Sequence, residues 1–545
     1  MTLARICSYA FLLGGSLVAQ QPQYDLLIKG GRIVDGTGNP WYLGNVAISN
    51  DRIVAVGKLD TTRAKRVINA AGMVVAPGFI ELHTHSDMAL LADGNAEAKV
   101  RDGVTLDVIG EGGSVAPRDG LVLERGDGGV TQDWTTFTGY FAKLMAQGIS
   151  MNLISHVSAG QVRRVVMGYD NREATPQELD KMKTLVARSM QEGAWGLVTD
   201  FDSGGPTHPE EIIELAKVVS SYGGTYNSHI GSEGFQQTKE IAFVTRLADE
   251  AQIPAHIFHL KIRAEDNWGT MSKYLDQINH ARDSGLDITA NQYPYTAMFH
   301  GWNAFFPVWA REGGPAKFAE RLKDPAMRQK IKTDPDFLTW SKEHGGWQGI
   351  ALARAATPAN KKYEGMRIAQ IAKLRGDADP ADTCLDLMAE DGGRISGIFH
   401  TMSEEDVKLV MKQPWVAIAS DGSAINLDAP GVPHPRNYST NARVLGHYVR
   451  EEHVLTLEDA VRKMTSLPAQ ILGLSDRGQL HAGFAADVVV FDLAKVQETN
   501  SFEHPKSYPV GIPYVVVNGG VVIDNGNHTG VRTGKVIYGK GYKGQ

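Results

Sequence analysis

Two histidines separated by one residue, His83 and His85, follow an apolar run in the segment PGFIELHTHSDMALL. Because side chains two residues apart in a β-strand face the same side, both imidazoles are predicted to point the same way. Imidazole nitrogen is a preferred ligand of zinc and of other divalent metals. The pair alone leaves two interpretations open: a metal site, or two histidines that end a core strand.

Further histidines and one aspartate follow other predicted strands. His229 lies in NSHIG, His259 in FHLKI and Asp421 in ASDGS. Since the carboxyl ends of barrel strands meet at one mouth, where such folds keep their active sites, these side chains should converge with His83 and His85. Four imidazoles and a carboxylate are the donor set of a catalytic zinc or dinuclear site that keeps a position free for water.

The elements that must position these residues alternate along the middle of the chain. Apolar, β-branched runs, of which VVAPGFIELHTH is predicted to be the first strand, alternate with helical stretches such as TPQELDKMKTLVARSMQEG. Eight such strands with helical crossovers favour a (β/α)₈ TIM-like barrel over residues 76–465, although a doubly wound sheet has a similar pattern. Residues 297–385 break this rhythm and are predicted to be an insertion after the seventh strand that forms a lid.

Short β-patterned runs bounded by Gly, Asn or Asp occupy both ends of the chain. Residues 22–75 contain three of them, and residues 475–545 repeat the pattern in ADVVVFDL and GIPYVVVNGGVVIDNG. The two flanks predict one small β-sandwich built from both termini. The predicted fold class is therefore α/β, with a barrel, a terminal sandwich and an insertion.

Composition excludes some classes of function. The chain has 545 residues, more than one domain usually holds, and its 62 acidic and 55 basic residues give a net charge of −7. Without a basic block, nucleic-acid binding is not expected, because phosphate neutralisation needs clustered Lys and Arg. The expected partner is a small molecule, and the oligomeric state is left open.

The first 20 residues have the pattern of a secretory signal. One Arg precedes an apolar run from Ile6 to Ala19, which is shorter than the roughly 20 apolar residues of a membrane span. The alternative interpretation is a buried N-terminal strand. Cleavage would remove Cys7 and leave Cys384 without a disulfide partner, so we expect an exported protein of the bacterial periplasm that is stabilised by a large core.

Several stretches of the chain share the pattern of one known family. They include PGFIELHTHSD, EGAWGLVTDF, YNSHIGSEG, QYPYTA, HPRNYSTNARVLGHYVRE and AVRKMTSLPAQILGLSDRGQLHAGFAADVVVFD. From about residue 24 to about residue 525, the chain thereby resembles the N-acyl-D-amino-acid deacylase (D-aminoacylase) branch of the amidohydrolase superfamily. It implies a metal-dependent hydrolase that cleaves the amide bond of N-acyl-D-amino acids. The stretch GLVTDF lacks the lysine that hydantoinase and dihydroorotase relatives carbamylate, which argues against those branches.

The resemblance also implies roles for individual residues. His83 and His85 match the metal-binding histidine pair, and His229 and His259 match the histidines that bind the tight zinc in this branch. Asp421 matches the aspartate that takes a proton from a metal-activated water and passes it to the leaving amine, as general base and then acid.

One stretch departs from the family pattern. The best-known D-aminoacylases carry a cysteine ligand in GNCG, and the corresponding stretch here is GEGG, with Glu111 in the place of Asn and Gly112 in the place of Cys. Glu111 is predicted to replace the thiolate, because a carboxylate can bridge two metals; the alternative is a surface carboxylate. Losing the soft sulfur should weaken selectivity for zinc, so we expect one or two divalent ions, Zn²⁺ first, with manganese or cobalt as alternatives.

Substrate binding needs a partner for the α-carboxylate of an N-acyl amino acid. The family holds it with a lysine, a tyrosine and an arginine, which match Lys261, either Tyr293 or Tyr295, and Arg436. Lys261 comes two residues after His259 and is predicted to share its strand face. Further candidates for a supporting role in the site are His156, His400, His434 and Glu233.

Two other functions remain open from the sequence. GEGG, and the loss of the family pattern GLSTGLxYxPG at GLVTDFDSGG, leave room for a related amidohydrolase that acts on dipeptides, N-acyl-L-amino acids, or a cyclic amide or lactone. A non-catalytic binding protein on the same fold would usually lose metal ligands, whereas this chain keeps them. The sequence does not decide between D and L substrates.

Overall fold

The computed structural model of the chain describes residues 24–59, 64–121, 129–200 and 208–544. The predicted signal segment, residues 1–20, lies outside the described residues, as does 201–207 within the GLVTDFDSGG region. Among the described residues, none of the helices is both long and apolar enough to cross a membrane.

The elements are given in chain order. The strands are β1 (Tyr24–Ile33), β2 (Tyr42–Ser49), β3 (Arg52–Gly57), β4 (Ala64–Asn69), β5 (Val74–Pro77), β6 (Phe79–Glu81), β7 (Val104–Ile109), β8 (Asn152–Ser155), β9 (Val157–Ser158), β10 (Gly196–Asp200), β11 (Thr225–His229), β12 (Ala255–Ile257), β13 (Ile288–Gln292), β14 (Ala297–Gly301), β15 (Ile350–Arg354), β16 (Ser396–His400), β17 (Val416–Ile418), β18 (Val488–Phe491), β19 (Tyr514–Val517), β20 (Gly520–Asp524) and β21 (Asn527–His528). The helices are α1 (Asp87–Ala92), α2 (Glu97–Val100), α3 (Phe137–Gln147), α4 (Ala159–Met167), α5 (Pro176–Gln191), α6 (Pro209–Ser221), α7 (Gln237–Ala251), α8 (Met271–Asp283), α9 (Val308–Arg311), α10 (Pro315–Arg321), α11 (Pro325–Lys332), α12 (Pro335–Glu343), α13 (Gly346–Gly349), α14 (Ile368–Arg375), α15 (Pro380–Glu390), α16 (Glu404–Met411), α17 (Arg436–Arg443), α18 (Leu457–Met464) and α19 (Ser466–Leu472).

Both ends of the described chain contribute to one nine-stranded sheet. Its order is β21-β20-β19-β18-β5-β1-β2-β3, and β4 pairs with β1. The junction between the two ends is β5, which runs parallel to β1 and antiparallel to β18. Ile28, Val46, Val75 and Val490 pack together in the core of this sheet. The two termini therefore share one sheet, and its closure into a two-layered sandwich stays a prediction.

The run VVAPGFIELHTH is divided at Gly78 between two sheets. β5 belongs to the terminal sheet, whereas β6 pairs with β7 in a different sheet. A Cβ atom on Gly78 would lie 2.3 Å from the Thr105 side chain, so glycine allows the chain to pass closely here. The prediction of one continuous strand is wrong, because the apolar pattern continues across the break between the sheets.

Two sheets of parallel strands, which we call the ring strands, lie around the predicted site. One sheet has the order β6-β7-β8 and another has β9-β10-β11-β12-β13-β17. Only His156 separates β8 from β9, and a parallel bridge between Thr84 and Gly422 places the chain after β6 beside the chain after β17. The helices α4 to α8 pack against one another in succession, and α16 packs against α8. The architecture is therefore α/β and TIM-barrel-like.

The helix α5 shows how local sequence sets these elements. Thr175 and Glu178 form a capping box, and Pro176 is the first helical residue. The buried side chains on its inner face are Met182, Val186, Ser189 and Met190. This spacing of three to four residues gives one face toward the core, as the sequence predicts.

The insertion lies between β13 and β17. It contains an antiparallel sheet with the order β14-β16-β15 and the helices α9 to α15. Phe306, Phe318 and Phe337 pack their rings together in its interior. The strand β16 lies beyond residue 385, so the sheet of the insertion continues past the predicted boundary.

Candidate metal centre

The six predicted metal ligands all lie at the carboxyl ends of ring strands. Five are buried or nearly so, and the His85 side chain is 40% exposed. They are His83 and His85 after β6, Glu111 after β7, His229 at the end of β11, His259 after β12, and Asp421 after β17.

A first group of donor atoms is formed by His83, His85, Glu111 and Asp421. Glu111 Oε2 contacts His83 Nε2 and lies 3.2 Å from His85 Nε2. Asp421 Oδ1 lies 3.0 Å from His85 Nε2 and 3.6 Å from His83 Nε2. One donor atom from each residue lies within 4.8 Å of the others, so the four can surround a single ion.

A second group of donor atoms is formed by Glu111, His229 and His259. Glu111 Oε1 lies 2.7 Å from His229 Nδ1 and 3.8 Å from His259 Nε2, and the two imidazole nitrogens are 3.1 Å apart. Glu111 thus presents one oxygen to each group, as a carboxylate bridging two ions would. Burial raises the pKa of Glu111, but His83 and His229 outweigh it and hold that pKa well below its usual range.

This donor set fits divalent metal ions. It consists of imidazole nitrogens and carboxylate oxygens that converge with little solvent access, a combination that suits zinc, manganese or cobalt. Gly112, in the position where the resemblance has cysteine, has a φ of +73°, a backbone conformation that a side chain rarely adopts. At the neighbouring position, the Glu111 carboxylate contacts both His83 and His229.

Two of the six residues have left-handed backbones. The φ angle is +34° at His259 and +51° at Asp421, a region that costs roughly 1–2 kcal/mol for most L residues. The backbone N–H of His259 donates to Asn291 Oδ1 at 2.7 Å.

Because β12 ends at Ile257, the prediction that Lys261 and His259 share a strand face is wrong.

Lys261 nevertheless reaches the site through a turn. Its Nζ lies 2.7 Å from His259 Nδ1 and donates to Glu233, whose Oε1 is 2.8 Å from the same Nδ1. Burial lowers the pKa of Lys261. Burial alone would raise the pKa of Glu233, but the charges of Lys261 and His259 outweigh it and hold that pKa well below its usual range. Glu233 therefore orients His259, a role often filled by a carboxylate behind a metal ligand.

Three of the four candidate substrate-binding residues line one cavity. Arg436 Nη1 lies 2.8 Å from Asp421 Oδ2, and the centroid of the Tyr293 ring lies 4.9 Å from Arg436 Cζ and 5.4 Å from Lys261 Nζ. Tyr295 is outside the described lining of the cavity. Its ring packs instead against His434, Phe502 and the guanidinium of Arg443.

The cavity has a volume of about 650 Å³, enough for a small molecule. Five of the six metal donors line it together with the cations Lys261 and Arg436. The insertion and the loop after β17 contribute other parts of the wall, which include Met298, Phe299, Arg354, Ile425 and Val432. The predicted insertion therefore shapes the space beside the donor groups.

The remaining histidine candidates lie behind this surface. His434 Nε2 donates to the Ala297 carbonyl at 2.9 Å, and its Nδ1 accepts from the Arg436 backbone at 3.0 Å, so it supports the start of α17. Neither ring nitrogen of His156 has a hydrogen-bond partner in the described chain, and burial lowers its pKa to about 3. His400 ends β16 in the insertion.

Sequence reasoning missed three charged residues near the site. Arg263 Nε lies 3.6 Å from Glu233 Oε2, while Lys99 and Glu81 are 2% exposed beneath Asp421. A charged residue within an apolar run, as in GFIEL, was the available signal for Glu81, because charges are rarely buried without a partner.

Comparison with known proteins places these findings in a family context. The model of the amidohydrolase family matches residues 66–324 and 346–523. A D-aminoacylase of Alcaligenes xylosoxydans xylosoxydans is 32% identical over 522 residues, covering 94% of this chain and 97% of the relative. An N-acyl-D-glutamate deacylase of the same organism is 31% identical, covering 92% and 93%.

Solved structures show the same similarity. A D-aminoacylase studied for its binuclear metal centre superposes with a TM-score of 0.80 at 30% identity, covering 94% of this chain and all of the other. An N-acyl-D-glutamate deacylase of Bordetella bronchiseptica, complexed with zinc and a phosphonate inhibitor, gives a TM-score of 0.79 at 28% identity, covering 94% and 99%.

Proposed function

The chain belongs to the amidohydrolase family, and we propose that it is a metal-dependent hydrolase that cleaves the amide bond of N-acyl-D-amino acids. The products are a carboxylate and a free D-amino acid. The observation that carries this proposal is one cavity lined by members of both donor groups, which share Glu111, and by Lys261 and Arg436. The named activities of the similar proteins support this substrate class.

Two divalent ions are proposed, with Zn²⁺ as the first choice and manganese or cobalt as alternatives. His83, His85, Glu111 and Asp421 would hold one ion, and Glu111, His229 and His259 the other. A divalent ion bound there supplies a Lewis acid that polarises the scissile carbonyl and lowers the pKa of water from 15.7 toward about 7.

The protein supplies the proton transfers. Asp421 lies between His85 and Arg436, with one carboxylate oxygen directed at each. We assign it the role of general base, which takes a proton from the attacking water, and then of general acid, which gives it to the leaving amine nitrogen. Burial around the carboxylate limits competing exchange with bulk solvent.

The α-carboxylate of the substrate is proposed to bind Arg436, with Lys261 and Tyr293 beside it. The guanidinium can donate two parallel hydrogen bonds to a carboxylate, and its position next to Asp421 would place the amide near the donor groups. Arg436 and Lys261 are held in place by Asp421 and Glu233, so both cations are positioned before substrate binds.

Replacing Arg436 by lysine tests this assignment. Arg436→Lys keeps the charge but loses the paired hydrogen bonds, so KM for an N-acyl-D-amino acid is expected to rise about tenfold, with a smaller effect on kcat. Steady-state kinetics with the zinc-loaded protein measure both constants. Tyr295→Phe, outside the described cavity lining, is the control and should leave KM unchanged. An unchanged KM in Arg436→Lys would contradict the assignment.

The substrate class is tested by matched N-acetyl-D and N-acetyl-L amino acids with added zinc, manganese or cobalt. Release of free amino acid is expected from the D series, and the preferred side chain should be read from the same panel. Faster hydrolysis of the L series, of dipeptides, or of cyclic amides and lactones would overturn the proposal in favour of a related amidohydrolase activity.

We further propose a complete (β/α)₈ ring, a terminal β-sandwich and export to a bacterial periplasm. The order of the parallel strands and the Thr84–Gly422 bridge support the ring, and the pairing through β5 supports the sandwich.

The export proposal rests on the signal-like pattern of residues 1–20 alone. N-terminal sequencing of the protein recovered from a periplasmic fraction would test it, and an intact Met1 there would contradict it.

A further inference from the structure

A buried serine lies directly before Asp421. The backbone N–H of Ser420 and its Oγ–H both donate to Glu81 Oε2 at 2.7 Å. Ser420 Oγ accepts from Lys99 Nζ at 2.6 Å and from the backbone N–H of Gly422 at 3.1 Å. A hydroxyl has one donor and two acceptor positions, and this geometry uses all three.

These bonds constrain the backbone on both sides of Asp421. Ser420 precedes it and Gly422 follows it, and the same hydroxyl oxygen is bonded to groups on both residues. The neighbouring chain adds two more bonds, from Asp421 N–H to the His83 carbonyl at 3.1 Å and from His85 N–H to the Gly422 carbonyl at 2.8 Å. Asp421 is thereby held at its φ of +51°.

The charged pair that anchors Ser420 is buried on the inner side of the ring. Glu81 and Lys99 are each 2% exposed, and Lys99 Nζ lies 3.9 Å from Glu81 Oε2. Replacing such a pair by apolar residues is often neutral or stabilising, so its burial is weak evidence for a role in stability alone. Neither residue belongs to the described cavity lining, so contact with a substrate does not account for them either.

We propose that Glu81, Lys99 and Ser420, which we name the Ser420 clamp, are positioning residues that hold Asp421 in its left-handed conformation for proton transfer. The proposal rests on the role of Asp421 in the proposed function. Release of the clamp allows residues 420–422 to relax toward an ordinary backbone angle, which turns the carboxylate away from His85 and the amine nitrogen. The larger loss falls on the proton-transfer steps, because His83, His85 and Glu111 still offer donor atoms to the first ion and the second donor group does not include Asp421.

The test compares Ser420→Ala and Lys99→Met with the parent protein in the metal-loaded form. A displacement of about 1 Å at a catalytic group can lower a rate about a hundredfold, and a drop in kcat of that order is expected for both variants. KM should change less than kcat, and mass spectrometry should find metal still bound, because three donors of the first group and all of the second remain. Glu81→Gln keeps an oxygen acceptor for Ser420 and should retain more of kcat than Glu81→Ala.

Lys463→Met is the matched control. Lys463 is fully buried and donates to the carbonyls of Gln413 and Val416, the latter at 3.1 Å at the start of the same strand, β17. Its loss removes a buried lysine beneath the ring without touching Ser420. We expect it to lower the thermal midpoint as Lys99→Met does while leaving kcat unchanged.

Three results would overturn the clamp. They are a kcat in Ser420→Ala close to the parent value, a loss of metal or of folding that accompanies the loss of kcat, and an equal loss of kcat in Lys463→Met. An active Asp421→Asn variant would instead refute the proton-transfer role of Asp421 on which the clamp rests. An inactive Asp421→Asn variant beside a fully active Ser420→Ala variant would refute the clamp alone.

Discussion

Asp421→Asn is expected to lower kcat for an N-acyl-D-amino acid by about a thousandfold. The amide cannot take a proton from water or return one to the leaving nitrogen, and general acid–base catalysis contributes roughly 10²- to 10⁴-fold in enzymes. Asn keeps an oxygen toward His85, which lies 3.0 Å from the carboxylate, so the shape of the site is preserved. Pre-steady-state and steady-state kinetics on the metal-loaded variant measure the loss.

The control for this prediction is Asp170→Asn, because Asp170 has a side chain that is 67% exposed on the surface. It should retain the parent kcat. Metal content must be determined for Asp421→Asn, since Asp421 also belongs to the first donor group. Retention of both kcat and metal would contradict the assignment of Asp421 as the proton carrier, while comparable inactivity of parent and variant on every amide tested would favour a binding protein.

Glu111→Ala is expected to remove at least one metal ion per chain and to lower kcat/KM by about a hundredfold or more. Each Glu111 oxygen faces a different donor group, so its loss removes a ligand from both and leaves the histidine pairs without a bridging charge. Substitutions near bound metals cost about 10- to 100-fold in affinity or activity even when they only support a ligand. Elemental analysis after dialysis against a defined metal buffer measures the stoichiometry.

Two variants make this prediction specific. Glu111→Gln keeps one oxygen but removes the charge, and it should retain more metal than Glu111→Ala. Glu211→Ala removes another buried glutamate, which pairs with Arg163, and it should change stability without changing the metal content. Unchanged stoichiometry and activity in Glu111→Ala would show that Glu111 is a structural carboxylate and that the two donor groups do not share it.

The choice of Glu111 has a structural reason in the adjacent glycine. A cysteine at position 112 would need a backbone with φ of +73°, which is unfavourable for a residue with a Cβ atom. The carboxylate at position 111 has two oxygens and can contact His83 and His229 together. The backbone at Gly112 and the two contacts of Glu111 both support the proposal that a carboxylate takes the ligand role here.

Much of the fold and of the candidate site could be predicted from the sequence. Apolar periodicity and capping residues such as Thr175 define elements locally, and the alternation of strands and helices implies parallel strands. Once the strands are parallel, His83, His229 and Asp421 must lie at the same end of the ring, because each follows a strand in the same direction. Their convergence needed no knowledge of contacts.

Only the tertiary structure decided which residues meet across distant segments. It placed Tyr293, but not Tyr295, beside both Lys261 and Arg436, and it divided one apolar run between two sheets at Gly78. It also revealed that one Glu111 oxygen faces each donor group, and that Lys99 and Glu81 meet at Ser420. These outcomes depend on ångström distances between segments up to hundreds of residues apart. Packing and buried hydrogen bonds set such distances, whereas local residue patterns carry only the direction and period of each element.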